Sequence, residues 1–470
     1  MKRFLLNLLG PLAVGAMISL QPSTALSQGT AFTMLTITNP APVVGDNFGW
    51  SVAAVGTNRL LVGTPFKEKA TGAAYLFDAN GTKLTTFTNP TPAFDDRFGF
   101  SVAAVGTDRV LIGAFSDDTG ATNAGAAYLF STNGALLMTY TNPTPAEYDS
   151  FGSCVAAVGN DRVLIGALQD NTGESDAGAA YLFATNGGLL TTFTNPTPAA
   201  GEEFGYSVAA VGSDRVLIGA HLDSTGSGNA GIAYLFSTNG ALLVTLTNPT
   251  PANSDAFGAS VAAVGTDRLF IGSPSKANAT GVAYLFSTNG TLLTTFTNPT
   301  PVAEDHFGAS VAAVGTDRLL IGAYEDDTGG TDTGSAYLFS TNGTLLTTFT
   351  NPPPANRDQF SYSVAAVGTD SVLIGAHYDN TGATAAGVAY LYRLQSTVAP
   401  SLSIQAPSTN ALLISWPSPS IGFTLQQNTN GIGTLNWINV IDPPTDNGTI
   451  KYVIIVNPPS GNQFYRLLKE

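Results

Sequence analysis

The chain is predicted to be all-β: a seven-bladed β-propeller closed by an N-terminal strand, followed by a small C-terminal β-sandwich. Three observations predict this. Units open at Phe48, Phe98, Phe151, Phe204, Phe257, Phe307 and Phe360, spaced by 50 or 53 residues, a period that belongs to propeller-type repeats. Each unit carries short β-rich runs bounded by Gly, Asn, Asp or Pro, which is how strands alternate with turns. The seventh unit lacks its fourth run, and a run of that kind stands unclaimed ahead of the first.

Residues 1–27 read as a secretory signal peptide, with Lys2 and Arg3, an apolar run from Phe4 to Leu20, and small residues at Ala25 and Ser27. That run is interrupted and wrongly flanked for a membrane span, and no other stretch is long and apolar enough. The mature chain is therefore expected to be secreted or held at the cell surface.

The propeller is expected over 30–393. Its N-terminal strand, 31–42, contains Thr38-Asn39-Pro40 and matches the run Leu136 to Pro145 that ends the second unit. This strand is expected to complete the last blade and leave only short, protected edges. In the second unit the four runs are SVAAVG, RVLIGA, GAAYLF and LLMTYTNP. The first three are apolar without alternation, so both their faces should be covered. The fourth mixes threonine with apolar residues, as an outer strand does. Small residues (Ser101, Ala103, Ala104) suit the first strand, where seven of its kind would crowd the axis. Each buried Val, Leu or Ile contributes roughly 1.5 to 3 kcal/mol, so stacking of neighbours is expected to dominate stability. The single cysteine, Cys154, stands where Ser101 and Ser207 stand and reads as a serine-sized filler.

A linker rich in Ser, Thr, Ala and Pro is expected over 394–401, then a second module over 402–470. Its runs LLISWP, GFTLQQ, NWINVI, KYVIIV and QFYRLL read as short strands of a β-sandwich with Trp416 in the core.

Phe-Gly at six of the seven unit starts, then L-[IV]-G-[AST] and G-x-A-Y-L-[FY] at fixed offsets, resemble the FG-GAP repeats of integrin α-subunit-like propellers. The resemblance covers about three quarters of the chain and implies a propeller that binds partners. One departure concerns metal. Integrin-type repeats often carry an aspartate-rich calcium loop between the first two strands; here that loop is GTDR, as at Gly106 to Arg109, too short to wrap a calcium ion. In the C-terminal module, ISWPSPSIGFTLQQ resembles the early strands of a fibronectin type III domain.

A four-stranded meander places its first and third turns at one end and its second turn, with the link to the next blade, at the other. Counted this way, the second-turn end holds 23 acids against five bases, and the opposite end seven of each. Such a field attracts basic partners and disfavours nucleic acid. Solubility of an exported protein is the plainer explanation, and both stand.

Two sets of candidate site residues lie at the acidic end. The second turn repeats Asp-[Asp/Asn/Ser]-Thr-Gly from Asp117, Asp170, Asp223, Asp326 and Asp379. These aspartates either cap their own turns, with Gly at positive φ, or, with Asp118 and Asp327, supply weak Ca²⁺ sites. In the first and fifth units the turn is three residues shorter and carries Lys67 or Lys276, so metal is not expected there. The second set is a variable slot after the second strand, where Phe115, His221, Tyr324 and His377 either pack the loops or offer rings for a sugar to stack on.

No nucleophile and base pair, His-Glu-x-x-His cluster or phosphate-binding glycine loop occurs. The expected function is that of an exported, monomeric, noncatalytic binding or adhesion-type protein that takes a protein or glycan at its acidic face. The alternatives are a carbohydrate-binding, lectin-like propeller and, beyond that, a hydrolase with unrecognised residues.

Overall fold

A computed structural model of the chain describes residues 32–352, 354–394, 401–408, 411–417, 423–429, 437–440, 444–446, 450–456 and 463–469. The leader reading falls outside these residues, as does most of the linker. The chain divides into two compact units, one spanning Met34–Arg393 and the other built chiefly from the C-terminal residues.

The first unit holds seven antiparallel four-stranded sheets, numbered here as blades 1 to 7 from the one opened by Phe48. Blade 2 is representative, with strands Ser101–Val105, Arg109–Ala114, Ala126–Ser131 and Leu136–Thr141 in that spatial order. Its second and third strands are buried on both faces and its fourth is exposed along one face, as the apolar runs require. Blade 7 takes its outer strand from the other end of the chain: Phe32–Thr38 lies beside Val388–Leu394. The ring is closed by the strand that the sequence left over.

Blades meet through the Phe of each Phe-Gly. Phe98 is fully buried, touches Tyr128 and Phe130 of its own blade, and shares a cluster with Leu76 and Phe87 of blade 1. The glycine that follows has no substitute: Gly99 sits at φ 91°, and a Cβ there would lie 2.3 Å from the Ala73 carbonyl of blade 1. In blade 7 the residue is Ser361, also left-handed at φ 77°. Its hydroxyl donates to the Ser335 carbonyl at 2.7 Å and accepts from the Ala323 N–H at 3.1 Å.

A second seam runs round the inner strands. Ser51, Ser101, Ser207 and Ser260 donate to the Gly99, Gly152, Gly258 and Gly308 carbonyls of the next blade at 2.7 to 2.8 Å. Ser310 donates to Ser361 and Ser363 to Gly49, so the series passes through the closure. Cys154 holds the remaining place, its Sγ 2.8 Å from the Gly205 carbonyl.

The second unit consists of two small antiparallel sheets. One contains Ser403–Ser408, Ala411–Pro417, Ile450–Val456 and Thr445–Asp446; the other contains Ile438–Asn439, Phe423–Asn428 and Phe464–Lys469. Leu412, Ile414, Trp416, Leu425, Val453 and Tyr465 form their common core, with Trp416 fully buried. Among the described residues no helix is long and apolar enough to cross a membrane.

Candidate functional site

The second-turn aspartates do not gather at the surface. Each is drawn into a buried junction between two blades. At the junction of blades 1 and 2, the Asn89 amide donates to Asp96 Oδ2 at 2.8 Å and to Asp117 Oδ2 at 2.9 Å. Tyr128 donates its hydroxyl to the same Asp117 oxygen at 2.7 Å, and Asp117 Oδ1 takes the N–H and hydroxyl of Thr119. The Asn142–Asp149–Asp170–Tyr181 set repeats this arrangement. The Asn195–Glu202–Asp223–Tyr234 and Asn298–Asp305–Asp326–Tyr337 sets repeat it with longer bonds from Asn to the second acid. At the last junction Asn351 binds Asp358, and Tyr390 binds Asp379.

These carboxylates are thus engaged by donors from the protein itself. Exposed Asp118 and Asp327 each accept one N–H of their own turn, from Asn123 and Asp332. Among the described residues no group of three or more His, Cys, Asp or Glu could hold a metal ion. Burial pushes the link carboxyls Asp96, Asp149, Asp305 and Asp358 up to about 6, and the neighbouring aspartates add to the rise. At the two junctions with a shortened turn, a lysine stands in the second aspartate's place: Lys67 Nζ lies 3.5 Å from Asp46 Oδ2, and Lys276 Nζ 2.6 Å from Asp255 Oδ2.

This reshapes the acidic end. Twelve of the 23 acids assigned to it by connectivity are buried in these junctions, so the charge that meets solvent is much smaller than the sequence count. The acids left in reach include Glu68, Asp95, Glu147, Glu174, Glu304 and Asp327.

Around the propeller mouth at this end the rings of the variable slot touch residues that the sequence analysis passed over, and one of those rings, His377, is 1% exposed and presents no face to a ligand. Phe115 touches Phe100 at 4.3 Å, Phe100 touches Trp50 at 5.3 Å, and Trp50 reaches Phe66, Tyr362 and His377 at 4.7 to 5.2 Å. Tyr362 continues to Tyr324, which stacks on His306 at 5.0 Å. Tyr206 and His221 form a separate pair at 3.8 Å. Burial lowers the His221 imidazole to about 4 and the His377 imidazole to about 3, so both are neutral. The missed residues occupy two further variable positions, before Phe-Gly (Asn47, Arg97, Ser150, Glu203, Ala256, His306, Gln359) and after it (Trp50, Phe100, Ser153, Tyr206, Ala259, Ala309, Tyr362). Variation inside an otherwise regular repeat was the signal that could have found them.

Arg97 shows what this mouth can hold. Its Nε and Nη2 lie 2.9 and 3.2 Å from the two oxygens of Asp95, and its guanidinium lies over Phe66 at 5.4 Å and Phe115 at 5.1 Å.

No curated protein matches the chain. Among solved structures, YCF48 bound to D1 peptide is similar at 12% identity, with 80% of this chain and 99% of that chain covered and a TM-score of 0.48. The FG-GAP repeat matches residues 36–77, 83–130, 141–183, 191–236, 295–339 and 348–392. Those stretches take in more than half of the chain and the unit-opening Phe of six of the seven blades; that of blade 5, Phe257, lies outside them. By sequence and by blade construction alike, the chain belongs to the FG-GAP repeat family.

Proposed function

We propose that this is an exported, noncatalytic binding or adhesion-type propeller that meets its partner on the end bearing the blade links and second turns. One observation carries the reading. Outside the outer strands, the large apolar side chains exposed on the described propeller are Val43, Val44, Phe94, Tyr148, Tyr206, Val302 and Tyr378, and all seven lie at this end. Exposed aromatics set among charges are the usual makings of a protein-binding patch. The hydrolase reading loses support, because the second-turn aspartates already serve Asn, Tyr and turn donors. The lectin-like reading keeps one favourable feature: Tyr206, 39% exposed, offers a ring on which a sugar could stack.

The test is capture of partners from the extracellular medium by the full chain and by a Phe94→Ser/Tyr148→Ser variant. These side chains are 77% and 56% exposed, so the variant is expected to melt like the parent and to lose the partner. Undiminished capture by the variant, with capture lost on changing the outer-strand leucines, would overturn the reading. Glycan binding abolished by Tyr206→Ala would favour the lectin.

A further inference from the structure

The third strand of every blade carries a tyrosine at the same place, and in the five blades with an Asp-x-Thr-Gly turn its hydroxyl donates to the second-turn aspartate at 2.5 to 3.4 Å. A threonine of the blade link can stand beside it as well: Thr91 Oγ1 lies 3.4 Å from the Tyr128 hydroxyl and Thr300 Oγ1 2.9 Å from that of Tyr337. In blade 5 the short turn removes the aspartate, but Thr250 remains next to Tyr284. Blade 1 has lost both. Lys67 holds the aspartate's place and Ala41 the threonine's. Among the described residues the hydroxyl of Tyr75, a residue 3% exposed, has no hydrogen-bond partner. Burial pushes this hydroxyl up to about 12, so it keeps its proton and can donate it.

A recess of about 200 Å³ opens where those two side chains are missing, with Ala41, Lys67, Glu68, Tyr75, Lys83 and Thr86 among its walls. It has room for several waters at about 30 Å³ each, yet falls below the roughly 300 Å³ at which pockets for drug-sized ligands begin. Lys67 donates to the Ala41 carbonyl at 3.0 Å and lies 3.5 Å from Asp46 Oδ2, a long contact beside the 2.6 Å between Lys276 and Asp255. An ammonium has three donors, so Lys67 has capacity left. Asn39 donates to Asp46 at 2.9 Å, whereas Asn89 divides its amide between two acids. Lys83 stands where five other outer strands carry leucine.

We propose that this recess binds the carboxylate of a small organic acid, which takes the place of the missing aspartate and accepts from the Tyr75 hydroxyl and the Lys67 ammonium. The complete blades show the fit, since Asp117 sets a carboxylate against the equivalent Tyr128. Hydrogen bonds from a charged donor to a carboxylate are the stronger kind. Two lysines against one glutamate in the wall suit a single negative charge. Lys67 is partly spent on Asp46, so a dissociation constant in the millimolar range is expected for a ligand of a few atoms.

The experiment is equilibrium dialysis of the full chain against radiolabelled acetate at neutral pH, with acetamide as the uncharged probe of the same size. Acetate is expected to bind once per chain, and acetamide at least about tenfold more weakly. Tyr75→Phe removes only a hydroxyl that bonds nothing in the protein. It is expected to weaken acetate about tenfold, the effect of one hydrogen bond to a charged group, without lowering the melting temperature; Tyr128→Phe, which takes a donor from Asp117, melts lower and leaves acetate binding intact. Ala41→Thr restores the link threonine and is expected to abolish uptake while raising the melting temperature. No uptake of acetate beyond that of acetamide, or uptake undiminished in either Tyr75→Phe or Ala41→Thr, would overturn the site and leave the recess to water.

Discussion

Lys276 sets its ammonium 2.6 Å from the buried carboxylate of Asp255, in the place that Asp117 takes beside Asp96 one junction type over. The same slot in the repeat holds a cation in blades 1 and 5 and a second acid in the other five. Both solutions deal with a link carboxylate that the fold buries. That carboxylate is needed because it accepts the N–H of the residue three positions earlier, Ala252 in this link at 2.8 Å, and so shapes the turn into the next blade.

Removing the ammonium isolates its contribution. Lys276→Met keeps the apolar stem but leaves Asp255, 2% exposed, without its counter-charge. Breaking a buried pair from one side costs about 3 to 5 kcal/mol, and chemical denaturation is expected to show a loss of that order. A loss below 1 kcal/mol would mean that water already solvates the carboxylate.

The acid pairs predict a pH signature, which Asp149→Asn tests. The Asp149 carboxyl titrates at about 6 in the folded chain against an ordinary 3.8. Between those values the folded chain holds a proton that the unfolded chain has released, so this group's contribution falls as pH rises from about 4 to about 6 and stays low above. Asparagine keeps the acceptor for Asn142 and Ala146 and has no charge to bury. Relative to the parent, the variant is expected to be more stable at about pH 8 than at about pH 4.5. His221 and His377 act in the opposite sense. Their folded values of about 4 and 3 lie below 6.5, so the unfolded chain takes up protons first as pH falls, and stability is lost in acid. The whole-chain pH curve mixes the two trends; the difference between variant and parent melts reads the acid alone. An equal difference at both pH values would refute the pairing.

Cys154 offers a narrower check on the inner seam. Burial pushes its thiol up to about 12, so alkylation of the folded chain should be far slower than of the unfolded one. Cys154→Ser installs the residue used at the other six positions and is expected to match or slightly exceed the parent in stability. Cys154→Ala leaves the Gly205 carbonyl without its donor and should cost about 1 kcal/mol. Equal stability of the serine and alanine variants would show that the seam bond contributes nothing.

What could be read in advance follows from where the information lies. Blade number, strand order and closure are legible because each repeats along the chain or is conspicuous where missing, as with the outer strand of blade 7. The fate of Asp117 is not legible in this way. Its partners Asn89 and Tyr128 come from another blade and another strand, and only stacking brings them together. A trace was present nonetheless: Asn, the link acid and the second-turn residue keep offsets of 7 and 28 wherever the Asp-x-Thr-Gly turn occurs. The mouth was half legible. Its slot after the second strand could be located, but Trp50 and Arg97 hide beside Phe-Gly, the most regular pair in the repeat.

Closure itself is open to test at Ile37. This side chain, 1% exposed, packs with Leu391 of the adjoining strand and with Tyr75 and Phe77 of blade 1. It takes the place in blade 7 that Phe87 takes in blade 1. Ile37→Ala is expected to cost about 2 to 5 kcal/mol, as truncations of buried apolar side chains do. Hydrogen exchange should locate the damage: amides of Val388–Leu394, which the N-terminal strand covers, lose protection first. In a closed ring the loss then spreads to blades 1 and 6, because each blade depends on both neighbours. Protection lost only within Phe32–Thr38, with Val388–Leu394 unchanged, would show that this strand decorates the seventh blade without holding the ring shut.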